Sequence, residues 1–197
     1  MNMMWIYIAT GFTGAWTLLF LARGALRKLG RIPSTVSYFS PKGGCQDAIV
    51  KELKSARREI LVQAYSFTAD PLTYGLIEAK KRGVTVEILL DKSNEAESYS
   101  DLKIFLDNGL PPLIDASHAI AHNKIIVIDK QIVITGSYNF TNQAETQNAE
   151  NLLIIKGNPD LVQSYRQNFL AHKAHSKAAE LKAPAENNRF GNKPKAA

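Results

Sequence analysis

The sequence predicts a layered α/β domain on a mostly mixed β-sheet flanked by helices, preceded by one apolar N-terminal transmembrane helix. Two observations carry this. Between Val36 and Phe169, short apolar runs alternate with stretches of helical spacing, the order in which layered strands and helices are built. Ahead of them, Met3 to Ala22 runs for twenty residues without a charged side chain. As a helix that run spans about 30 Å, the thickness of a bilayer core.

The elements follow in order. Trp5 and Tyr7 suit the interface belt of a membrane helix. Arg23, Arg27, Lys28 and Arg31 follow the run directly, and the positive-inside rule keeps such a cluster, and the domain behind it, on the cytoplasmic side. The alternative is a cleaved signal peptide, with a periplasmic or secreted domain. Against it, no positively charged segment precedes the apolar run. Residues 1–24 therefore read as a membrane anchor or signal peptide, and 25–35 as a basic linker.

Residues 36–172 read as the catalytic domain. Val36–Phe39 is a short strand, and Asp47–Ala56 has helical spacing. Ile60–Tyr65 is a strand and Pro71–Lys81 a helix ending at Gly83. Val84–Leu90, almost continuously apolar, suits a buried strand. Asp91–Ser100 is a polar loop and Leu102–Leu106 a short helix. Ile125–Ile128 and Ile132–Thr135 are strands about a tight Asp129-Lys130 turn. Leu152–Ile155 is a strand and Leu161–Phe169 the last helix. Residues 173–197, poor in large apolar side chains, read as a disordered tail.

The net charge of +6 is carried by the ends. Residues 1–31 hold four basic and no acidic side chains, and 171–197 hold six and two, leaving 14 basic and 16 acidic residues between them. The basic balance is thus no argument for a nucleic-acid groove on the domain itself. The single cysteine, Cys45, permits no intrachain disulfide and reads as a half-buried small side chain.

The chemistry concentrates in His122-Asn-Lys-Ile-Ile-Val-Ile-Asp129 and Gly136-Ser-Tyr-Asn-Phe140. On a strand, residues two apart face one way, so His122 and Lys124 present an imidazole and an ammonium together. Ser137 and Asn139 do the same on the neighbouring strand end, and Gly136 allows close backbone approach. A base or nucleophile, a fixed cation, a hydroxyl and a carboxamide around one spot suit a cluster of phosphoryl oxygens. Asp129 lies at an odd offset from His122 and reads as a turn stabiliser. His118 and His122, four apart on an extended segment, are too far apart to share a metal, so no metal and no cofactor are expected. His118 reads as a loop residue beside the cleft, Tyr65 to Thr68 as turn structure or else a border of the site, and Lys80-Lys81-Arg82 as a solvated helix end or else a contact for a polyanion.

These residues resemble the phospholipase D superfamily, whose signature is H-x-K-x4-D followed by G-S-x-N. Ala64-Tyr-Ser-Phe-Thr68, Ala79-Lys-Lys-Arg-Gly-Val84 and Ala144-Glu-Thr-Gln-Asn148 resemble its small single-motif bacterial endonucleases. The resemblance implies that His122 attacks phosphorus and becomes a phosphohistidine. It implies that Lys124 and Asn139 bind the phosphate oxygens with Ser137 beside them, and that the Glu150 carboxylate hydrogen-bonds the histidine. It further implies a metal-independent endonuclease on DNA or RNA, or alternatively a phospholipase D acting on membrane phospholipids. One imidazole cannot stand on both sides of an in-line displacement. The only other H-x-K, His175-Ser-Lys177, lacks the rest of the signature. A homodimer with one shared active site is therefore expected.

Overall fold

The computed structural model describes residues 16–25, 32–95 and 101–180. Helix α1 (16–25) is followed by β1 (Ser34–Phe39), α2 (Cys45–Ser55), β2 (Glu59–Ala64), α3 (Asp70–Lys81) and β3 (Thr85–Asp91). A 3-10 turn (Lys92–Glu95), α4 (Leu102–Asp107), β4 (Leu113–Asp115), β5 (Lys124–Ile128) and β6 (Ile132–Gly136) come next. The chain ends its described part with α5 (Asn142–Thr146), β7 (Asn151–Lys156), α6 (Pro159–His175) and β8 (Lys177–Ala178).

The strands form one mixed sheet in the order β1-β7-β6-β5-β2-β3-β4-β8. β2, β3 and β4 run parallel, and every other pairing is antiparallel. Both faces are covered, which is why successive residues Ile60–Val62 of β2 and Ile125–Ile128 of β5 are apolar. Ile60, Val62, Ile126 and Ile128 point into a core shared with α2, α3 and α4, whereas Leu61, Ile125 and Val127 meet Val162 and Phe169 of α6. Each such side chain, fully buried, contributes roughly 1.5–3 kcal/mol.

Local chemistry sets the boundaries. Asn158 caps α6 by accepting from Leu161 N at 3.1 Å, with Pro159 in the first turn. Lys80 and Arg82 at the end of α3 bond the carbonyls of Gly109 and Leu53, so this basic cluster serves the structure. Between β5 and β6, Asp129 and Lys130 both have positive φ, at 53° and 57°, in a three-residue connection without glycine that Gln131 N closes by donating to Ile128 O at 2.9 Å. The Asp129 carboxylate accepts from the backbone amides of Arg57, Arg58 and Glu59 at 2.7–3.0 Å. These bonds tie the turn to the entry of β2.

Several expectations need correction. The tail does not begin at 173: α6 continues to His175, and β8 pairs with β4. Side chains rather than apolar packing hold this end, with Lys173 bonded to Glu87. β1 opens at Ser34, two residues inside the expected linker, because it pairs with β7 through Lys156. β4, α5 and β8 have no counterpart among the predicted elements. Cys45 is fully buried rather than half-buried, and burial beside Glu145 pushes its thiol up to about 11. Of the apolar run 3–22, residues 3–15 lie outside the described residues. Among the described residues no helix is long and apolar enough to cross a membrane.

Candidate active site

Four neighbouring strands end at one edge of the sheet. Their register puts Ala64 opposite Lys124, and Gly136 opposite Leu152. The segments leaving these ends carry Tyr65, His122, Ser137, Asn139 and Glu150. Gly136 is required here: a Cβ would lie 2.2 Å from the Asn151 carbonyl oxygen of β7.

His122 precedes β5 rather than lying on it, and its ring is exposed. The approach to it is pinned. Buried Asp91 accepts from Ala121 N at 2.7 Å, and Tyr65 N donates to Asn123 O at 2.9 Å. Lys124 is buried, 6% exposed, and its Nζ lies 2.9 Å from His122 Nδ1 and 2.7 Å from the His122 carbonyl oxygen. Burial pushes the Lys124 ammonium down to about 8, against the charge of Glu150, which holds it up. The Tyr65 ring stands 4.5 Å from the imidazole, and Lys124 Nζ lies 5.1 Å above it. Tyr65, read from sequence as turn structure, is thus a wall of the site. Its signal was its place one residue past β2, beside the strand that follows His122.

Ser137 is exposed, with its hydroxyl accepting from Asn151 N at 3.0 Å. Asn139 is half-buried, and its buried Oδ1 has no hydrogen-bond partner among the described residues. The backbone of Glu150 is tied to Ser40, whose amide donates to Glu150 O at 3.0 Å and whose Oγ accepts from Glu150 N at 3.2 Å. Its carboxylate accepts from Asn148 Nδ2 at 3.1 Å. The bond from Glu150 to His122 that the resemblance implies is not formed. Lys124 occupies Nδ1 instead, and an ammonium donating there leaves the ring proton on Nε2. His118 turns away from His122, with Nδ1 3.1 Å from Asp115.

What the edge can do follows from these groups. An exposed imidazole stands against a buried cation whose charge Glu150 maintains. Such a pair suits a nucleophile and an oxyanion carrying opposite charge.

The family description "Cardiolipin synthase, PLD-like domain" matches residues 49–173. A protein of Rickettsia typhi named Phospholipase D is 44% identical over 136 residues, 69% of this chain and 66% of that protein. The chain thus spans about two thirds of the length of that relative. A mitochondrial cardiolipin hydrolase of Chlamydomonas reinhardtii is 32% identical over 117 residues, 59% of this chain and 52% of that protein. Among solved structures, the phospholipase D family member Nuc from Salmonella typhimurium superposes with a TM-score of 0.71 at 34% identity, covering 75% of this chain and 98% of Nuc. Motif, sheet and likeness agree, and the chain belongs to the phospholipase D superfamily of phosphodiesterases, in its single-motif branch.

Proposed function

We propose that His122 attacks the phosphorus of a phosphodiester, that nucleic acid is the substrate, and that a second copy of the chain completes the site. The observation that carries this is the exposed His122 imidazole beside the Lys124 ammonium, 2.9 Å away on an otherwise buried side chain. As substrate enters, a phosphate oxygen takes Lys124 Nζ from Nδ1, and the Asn139 amide and the Ser137 hydroxyl lie beside it. A ring nitrogen of His122 forms a bond to phosphorus while the bond to the leaving oxygen breaks. That oxygen takes a proton from His122 of a second copy. Water, giving its proton to that same second imidazole, then attacks phosphorus and releases His122. No step calls for a metal ion.

Nucleic acid is supported by the likeness to Nuc over 98% of its length and by the resemblance to single-motif endonucleases. A phospholipid substrate is the second reading. The printed names of the rickettsial and mitochondrial relatives favour it. So does α1, where Trp16, Leu18, Leu19, Phe20 and Leu21 are each 67–79% exposed. That surface also supports membrane attachment through residues 3–22, with the basic residues after it holding the domain on the cytoplasmic side.

The test presents the full chain with plasmid DNA, RNA and vesicles of phosphatidylcholine and cardiolipin, with and without brief EDTA treatment. Cleavage of nucleic acid that survives EDTA and falls at least about a thousandfold in His122→Ala is expected. Turnover of vesicles alone moves the function to the lipid reading. Undiminished turnover by His122→Ala overturns the mechanism.

A further inference from the structure

The chain has four histidines, and the three outside the active site converge on one carboxylate. Asp115 closes β4 with its side chain 2% exposed. His118 Nδ1 lies 3.1 Å from both of its oxygens, His172 Nδ1 lies 2.6 Å from Oδ2, and His175 Nε2 lies 3.3 Å from Oδ1. One ligand atom from each of the four residues lies within 4.8 Å of all the others.

Hydrogen bonding alone gives a poor account of this crowding. Ser117 N already donates to Asp115 Oδ1 at 3.1 Å. Three imidazolium rings with centroids 4.8–5.4 Å apart would repel one another around a single negative charge. Neutral rings would, with Ser117 N, fill all of its roughly four lone-pair sites with donors. A divalent cation removes the repulsion and the crowding together, since each imidazole then gives a lone pair and Asp115 an oxygen. Tetrahedral ligands about 2.0–2.2 Å from zinc stand roughly 3.4 Å apart, so ligand atoms that now lie from 2.6 Å to at most 4.8 Å apart close on an ion by shifts of about an ångström.

The sequence spacing fits as well. Asp115-Ala-Ser-His118 and His172-Lys-Ala-His175 are two pairs with two residues between ligands, and the second pair shares a face of the last turn of α6. Neighbouring bonds hold the ligand backbones: Lys92 Nζ donates to His118 O at 2.9 Å and Ser176 Oγ to His172 O at 2.8 Å. His118 and His175, 46% and 37% exposed, leave the cluster open to an entering ion.

We propose that Asp115, His118, His172 and His175 form a structural site for one divalent transition-metal ion of the zinc type. Three nitrogens and one carboxylate oxygen suit zinc over harder, oxygen-seeking cations. The ion joins the end of α6 to β4 and to the segment that runs from His118 into His122. It takes no part in the chemistry proposed above, and its test does not depend on activity.

Untagged full-length protein, stripped with chelator, is dialysed against buffered Zn2+ and its metal content measured. One zinc per chain is expected, with a thermal midpoint raised by several degrees and, with Co2+, the visible absorption of a tetrahedral centre. His172→Ala/His175→Ala weakens Zn2+ binding by about 100-fold or more and abolishes the thermal shift. His118→Ala, on an exposed loop, does so without threatening the fold, and His122→Ala keeps the full complement. Sub-stoichiometric zinc in the native chain overturns the site, as does full retention by His118→Ala and by the double variant.

Discussion

At the scale of the residue, Lys124 sets the working conditions. Its ammonium, pushed down to about 8 by burial, must be charged to hold a phosphate oxygen. The kcat/KM of the free enzyme should therefore fall as pH rises through about 8. Lys124→Arg, charged throughout, should move that limb upward even as it lowers the rate. A basic limb shared by both proteins would assign it to another group. Stability runs the other way. Between about 8 and the ordinary lysine value of 10.5, the unfolded chain binds more protons, so this residue's contribution to stability rises with pH across that window. His122, Lys124, Ser137 and Asn139 were legible as a pattern because two-residue spacing at strand ends is a local property. Tyr65 was legible as a residue just past a strand, but its contact with the imidazole depends on strand pairing. The partner of the Glu150 carboxylate was not legible, since side-chain torsions choose Asn148 over His122.

At the scale of the element, Asp129 makes a separable contribution. It joins the β5–β6 turn to the entry of β2 through three backbone amides and touches no group of the site. Asp129→Ala should cost about 2 kcal/mol in urea unfolding while turnover per folded molecule stays within about twofold. A loss of turnover at full stability would give Asp129 a chemical role instead. The longer strands were legible because they hold apolar runs such as Ile60–Val62 and Ile125–Ile128. β4 and β8, three and two residues long, carry no period to read. The end of α6 escaped notice because His172, Lys173 and His175 hold it by polar bonds, and hydrophobic spacing is blind to those.

At the scale of the whole molecule, the proposed mechanism is tested by assembly. If two copies contribute one imidazole each to one site, co-refolded mixtures of native chain and His122→Ala should lose activity as the square of the native fraction. A linear loss, or a monomer in sedimentation at working concentration, would mean that each chain completes its own site. The same scale bears on how the chain is made. β1 lies at one border of the sheet and pairs with β7, Ser34 opposite Lys156. A growing polypeptide thus releases its first strand long before the ribosome has finished the seventh. Until then the backbone amides and carbonyls of β1 lack their partner strand. Closure of this sheet belongs to the moments after residue 156 has emerged.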